Sequence, residues 1–247
     1  MKILFSPSEA KYKDGNEEKF DKKSFIFPSL YKYRLEIIEK YQSFINNASD
    51  DKIAKLIGTK KQDVIDYYSS DIFDRNTKKV IQRYDGVAYD YLKYEELNEN
   101  EKEYIDKNVI IFSNLFGPIL AGDTGLPDYK LKQGEKLDGL AVELFYKEHF
   151  SDALNEYLKD EDILDLRAGF YEKFYKVTKP YTTMKFIKDG KVVSHWAKAY
   201  RGVILNAISR NNINSIEDLI NLKIDNLVIS EIKEQKLKKE IIYNIVD

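Results

Sequence analysis

The sequence predicts one α+β domain spanning residues 1–247, with strands and helices interspersed along the chain. Three observations carry that expectation. Short apolar runs such as "KILFS", "NVIIFS" and "IIYNIV" have the length and bounded character of buried strands. Between them lie longer stretches whose apolar residues recur at helical spacing. No repeat, low-complexity tract or linker interrupts the pattern, and 247 residues at 43% hydrophobic content can bury a substantial core.

Taken in order, "KILFS" reads as a buried strand entering a turn at Ser6-Pro7, and residues 11–28 as a polar surface loop. "SLYKYRLEIIEKYQSFINN" carries Leu30, Tyr33, Ile37, Ile38, Tyr41 and Phe44 on one face, with Ser29 as the expected N-cap. "SDDKIAKLIGTKKQDVIDYY" reads as two short helices around a tight link, the first capped by Ser49 or Asp50 and ended by Gly58. That is the shape of a helix-hairpin-helix, whose hairpin N–H groups and lysines hold a phosphate, but that motif usually carries two glycines in its hairpin, and with Gly58 alone the residues fit a plain helical hairpin better. Asp85-Gly86 marks a turn, "NENEKEYIDK" a polar helix and "NVIIFSNLFG" a central strand. "GLAVELFYKEHFSDALNEYL" is a long helix and "DILDLRAG" a strand ending in a turn. "YTTMKFIKDGKVVSHW" is a hairpin turning at Asp189-Gly190. A helix from "SHWAKAYRGVIL", a Ser215-capped helix and strands at "LVIS" and "IIYNIV" complete the chain.

Composition excludes several chemistries. There is no cysteine, so disulfides, thiolate catalysis and cysteine-held metals are out, and His149 and His195 alone make no histidine-rich metal site. No cofactor is expected. No run approaches a transmembrane span and the N-terminus lacks a signal pattern, so a cytoplasmic protein without a membrane partner is expected. The glycine-rich stretch 117–134 contains neither phosphate-loop nor dinucleotide fingerprint.

Net charge is only −2, yet residues 167–210 hold ten Lys/Arg against Glu172 and Asp189, directly after an acidic stretch. On a helical wheel of 196–208, Trp196, Tyr200, Val203 and Ala207 form an apolar stripe. Lys198, Arg201, Gly202 and Leu205 fall opposite, consistent with a solvated basic face or with cations lining a cleft. Ser194-His195 is no catalytic dyad, because neighbours on a strand point to opposite faces. Asp123 and Asp128 are candidates to bind a metal or to act as acid and base, and turn formation explains them at least as well. Arg167, at the end of an apolar strand, needs an anion: a structural carboxylate or a phosphate.

Several stretches coincide in order: "KILFSPSEAK", "YDGVAYDYL", "IIFSNLFGPI", "DYKLKQG", "DLRAGFYEKFY" and "SHWAKAYRG". Together they resemble the YaaA family of peroxide-stress proteins, from Met1 to about residue 222. The resemblance implies a mixed sheet surrounded by helices (the cantaloupe fold), a helix-hairpin-helix at 50–69, a basic cleft and binding of double-stranded DNA. It carries the cleft onto Lys198 and Arg201, with Lys130 and Arg167 beside them; Gly58, Lys60 and Lys61 belong to the hairpin. Two departures stand out. The family's glycine-leucine-aromatic-glycine turn begins here at Asn114, with "ILAGD" in place of its leucine-arginine-proline step. Its "PYRL" arginine is Lys130, which weakens bidentate phosphate recognition. The expected function is sequence-independent, non-enzymatic DNA binding in the peroxide response. The rival is an enzyme or binding protein for a small nucleotide-like anion, with Ser6, Pro7 and Asn114 converging on the cations in a closed pocket.

Overall fold

The computed structural model describes residues 1–193 and 196–246, so Ser194 and His195 lie outside the described residues. The first half of the chain runs through β1 (Lys2–Phe5), α1 (Tyr31–Asn47), α2 (Asp50–Ile57), α3 (Gln62–Tyr68) and β2 (Thr77–Lys78). It continues with α4 (Val80–Arg83), α5 (Val87–Leu92), α6 (Glu99–Asn108), β3 (Val109–Ser113), β4 (Gly117–Leu120) and β5 (Leu126–Pro127). The second half is more regular: α7 (Val142–Leu158), β6 (Ile163–Asp165), β7 (Tyr181–Lys188), β8 (Lys191–Val192), α8 (Trp196–Arg210), α9 (Ile216–Asn221), β9 (Leu227–Gln235) and β10 (Lys238–Ile245).

One mixed sheet organises the molecule, in the order β4-β3-β1-β6-β7-β10-β9, with β8 added to β7. The central strands are parallel: β1 to β3 and β6, β6 to β7, and β7 to β10. Strands β4, β8 and β9 join antiparallel. Strands β1 and β3 are covered on both faces. Ile3, Leu4 and Val109 through Phe112 are 0% exposed. That is why each is an unbroken apolar run instead of an alternating one. On α1, Ile37, Ile38, Tyr41 and Ile45 are buried, a stripe at the predicted spacing; full burial of one such aliphatic side chain contributes about 1.5–3 kcal/mol.

Several local expectations shift. Ser29 sits inside a 3-10 turn, Pro28–Leu30, ahead of α1 instead of capping it. The Asp85-Gly86 turn opens a further helix, α5, that the aromatic-rich run "VAYDYL" had concealed. Helix α6 starts on a capping box between Asn98 and Glu101, and Ser215 caps α9 by accepting from the Asp218 N–H.

The irregular segments around 12–28, 68–85 and 114–131 are held by buried arginines. Arg83 donates to the carbonyls of Leu126, Asp14 and Asn76 at 3.0, 2.8 and 2.9 Å, and also to that of Tyr12. Arg75 serves Asp128, Tyr68 and Ser70. Arg34 serves Ile26, Pro118 and Phe116. Loops without ladder partners must satisfy their carbonyls elsewhere, and these three guanidinium groups do so.

Candidate functional site

The sheet order locates a site before any side chain is considered. From β1 the chain departs to β3 on one side, whereas from β6 it departs to β7 on the other. The crevice beyond the carboxyl ends of β1 and β6 is therefore a topological switch point, where open α/β sheets bind ligands. A cavity of about 360 Å³ lies there. Its walls are the turn after β1 (Phe5 to Glu9), the turn after β6 (Leu166, Ala168, Tyr171), the start of α5 (Gly86 to Tyr89), Gln133, and Lys198 and Arg201 of α8. The two turns are tied together: the Ala168 N–H donates to Ser6 Oγ at 2.8 Å, and Tyr89 Oη to the Ser6 carbonyl at 2.9 Å.

Helix α8 is rotated from its expected position. Ala199, Gly202, Ile204, Leu205 and Ile208 are buried, while Trp196 is 50% exposed. Gly202 lacks a side chain because α5 crosses there; a Cβ would lie 2.1 Å from the Ala88 carbonyl oxygen. The glycine thus admits a second helix, not a ligand. Lys198 and Arg201 flank this contact and face the cavity. Lys198 is exposed and Arg201 half-buried, and neither has an ion pair or side-chain hydrogen bond among the described residues. Burial pushes the Arg201 guanidinium below its ordinary pKa, partly opposed by Asp165 and Glu172.

Arg167 is not brought to the cavity wall. It is 5% exposed and grips Asp165 through Nε at 2.9 Å and Nη2 at 2.7 Å, while Nη1 serves the carbonyls of Tyr171 and Tyr175. Its donors are occupied, which leaves little for a phosphate. Its role at the site is to shape the β6 turn.

Ser6 and Pro7 line the cavity as the rival reading requires. Asn114 does not; it is buried, donates to the Leu131 carbonyl at 3.0 Å, and its Oδ1 has no hydrogen-bond partner among the described residues. Lys130 lies behind the site, close enough to Lys11 to lower its pKa. Asp123 accepts from the N–H groups of Ile26 and Leu120, and burial raises its carboxyl to about 6. Asp128, 1% exposed, accepts from Tyr68 Oη. Both are structural in their contacts. His149 stacks on Tyr33 at 4.0 Å.

Helices α2 and α3 form a hairpin linked by residues 58–61. Gly58 ends α2 in the left-handed region at φ 71°, a conformation that a Cβ disfavours. The expected phosphate-capping N–H groups there are largely occupied: Gly58 donates to Lys55, Thr59 to Ala54, and Lys61 to Thr59 Oγ1. Lys60 and Lys61 keep exposed side chains without an ion pair among the described residues, although Asp50 and Asp51 stand on the same cavity as Lys60. The hairpin and the switch-point cavity are joined by one segment. The Lys132 N–H donates to Leu56 of α2 at 2.9 Å, and the next residue, Gln133, lines the cavity.

Sequence reading missed Ser8, Glu9, Gln133 and Tyr171, which sit in turns without periodicity; proximity to Ser6-Pro7 was the sole available signal for the first two. It also missed Lys11. Its amine lies 4.1 Å from the Tyr129 ring centroid and 5.3 Å from that of Tyr84, and donates to the carbonyls of Ser8 and Glu9. Burial pushes this amine down to about 7, with Asp128 and Glu9 opposing the shift. Lys11 thus props the cavity's first turn from behind. Among the described residues no cluster of His, Asp and Glu could hold a metal ion, and no helix is long and apolar enough to cross a membrane.

The family model described as peroxide stress protein YaaA matches residues 1–233. The chain belongs to the YaaA family of peroxide stress proteins. Within it, a protein of Campylobacter jejuni is 47% identical over 247 residues, covering 100% of both chains. A UPF0246 protein of Fusobacterium nucleatum is 29% identical, with 94% of each chain covered. Another from Corynebacterium glutamicum is 32% identical, with 90% of this chain and 91% of the relative covered. The match to the family includes every wall of the cavity and the whole α2–α3 hairpin.

Proposed function

We propose that this peroxide-stress family member binds DNA by holding strand phosphates, largely without regard to base sequence. The observation that carries the reading is the pair Lys198 and Arg201, two cations facing a switch-point cavity with no ion pair or side-chain hydrogen bond among the described residues. Burial makes the Arg201 charge costly, and an arriving anion would offset that cost. Lys60 and Lys61 add a second set, and the segment 130–134 runs between the two regions. Phosphate contacts of this kind position a strand without reading it. The test is anisotropy of a labelled duplex across a salt series, with wild type beside Lys198→Ala/Arg201→Ala. Binding should fall steeply with salt, and the double variant should bind more weakly with a slope shallower by about two phosphates' worth. Absence of binding at low salt would end the DNA reading.

One observation favours a second reading. At about 360 Å³ the cavity has the size of a small-molecule site and not of a duplex-wide groove. In that reading Lys198 and Arg201 hold a free nucleotide-like anion, and Lys60 and Lys61 are surface charge.

A further inference from the structure

Building on the reading that the switch-point cavity holds a DNA phosphate, we propose that it admits one unpaired nucleotide of the strand, with a preference for a base that carries an amino group.

Three features of the lining point this way. The first is size: about 360 Å³ excludes a duplex but accommodates a single nucleotide. The second is the apolar wall made by Phe5, Val87, Tyr89, Leu166 and Tyr171. A phosphate alone gains nothing from that surface, whereas a base gains contact with apolar and aromatic side chains. The third is Glu9. It stands on the same cavity as the two cations and has no ion pair among the described residues; its Oε1 lies 3.5 Å from the Gln133 backbone N–H. A carboxylate repels a phosphate, so at a site for phosphate alone it is a liability. It accepts well from the exocyclic amino group of cytosine, and by the same chemistry from adenine or guanine. Thymine has no such group. Charge therefore sorts within the cavity: Lys198 and Arg201 of α8 take the phosphate, and Glu9 of the β1 turn takes the base edge.

Reaching this pocket requires a base out of the stack, which costs a few kcal/mol in a paired duplex and least where the base is already unpaired. The preferred target is thus a strand end, a gap or a mispair, not intact duplex.

The experiment compares labelled duplexes that are blunt or carry a single unpaired A, C, G or T, with competition by the four deoxynucleoside monophosphates and by inorganic phosphate. Unpaired A, C or G should bind about tenfold tighter than unpaired T or blunt ends, a difference of about 1.4 kcal/mol. The corresponding free nucleotides should outcompete dTMP and phosphate. Glu9→Ala, at an exposed position, should bring the amino-to-thymine ratio close to one, with a thermal melt confirming that it folds. If all ends bind alike and nucleotides compete no better than phosphate, while Lys198→Ala/Arg201→Ala still loses duplex binding, the single-nucleotide proposal falls and the phosphate reading stands. If no DNA binds at low salt, both fall, whether or not the free nucleotides bind.

Discussion

The loop-rich layer and the switch-point cavity use cations in opposite ways. In the loop layer, Arg34, Arg75 and Arg83 are each 7% exposed or less and spend their donors on loop carbonyls. At the cavity, Lys198 and Arg201 have neither a hydrogen-bonded carbonyl nor an ion-paired acid among the described residues. Arg167 sits between two residues of the cavity wall, Leu166 and Ala168, yet belongs with the first group, through Asp165. A basic residue in a basic stretch is thus not evidence of a ligand site. Whether its donors are already occupied is what decides.

The contrast predicts stability effects of very different size. Arg83→Met should be the most damaging, because it strips donors from several loop carbonyls at once. At about 1–3 kcal/mol for each buried group left unpaired, urea unfolding should show a loss of at least about 3 kcal/mol. A near-neutral result would mean that the loops are held by something else. Next, Gly202→Ala should cost about 1–3 kcal/mol through overpacking against Ala88, despite alanine's better helix propensity.

A pH effect of intermediate size follows from Lys11. Its amine titrates at about 7 in the folded protein, against 10.5 when free. Below pH 7 the folded state carries the burial penalty of a charged amine. Between pH 7 and the unfolded value the folded chain binds fewer protons, so stability should rise with pH. Denaturant midpoints should therefore climb from pH 6.5 to 9 in the wild type, and the climb should shrink in Lys11→Met. An unchanged profile in the variant would assign the rise to other groups. Smallest of all, Lys198→Ala/Arg201→Ala should alter stability by about 1 kcal/mol or less, because no ion pair or hydrogen bond among the described residues is lost and only the packing of the half-buried Arg201 stem goes. A large loss there would erase the distinction between the two groups of cations.

Much of this fold was legible in the sequence. The buried strands β1 and β3, the helices α1, α6 and α7, and the closing strands follow from run length and periodicity, because burial on both faces or on one stripe leaves a direct imprint on residue order. Helix α5 was not legible, since three of its six residues are tyrosine or β-branched valine. The orientation of α8 was misread for a related reason. Its glycine marks a helix crossing, and the partner helix is more than a hundred residues distant in sequence. Of the site, Ser6, Pro7, Lys198 and Arg201 were foreseen, whereas Glu9 and Gln133 meet only once β1 and β6 lie side by side. Arg167 illustrates the limit in reverse: the sequence required an anion for it, and Asp165, two residues away, supplies one.

The crossing at Gly202 has a geometric consequence for the cavity. One wall is the start of α5 and another is the Lys198–Arg201 stretch of α8, and the two helices meet at a position without a side chain. The bore of the cavity is therefore set by the closest approach of two backbones, which cannot swing between rotamers. A single methyl group at 202 would act as a spacer, pushing the cation-bearing stretch of α8 away from the start of α5. The residue that gauges this opening lies outside the cavity lining and carries no charge.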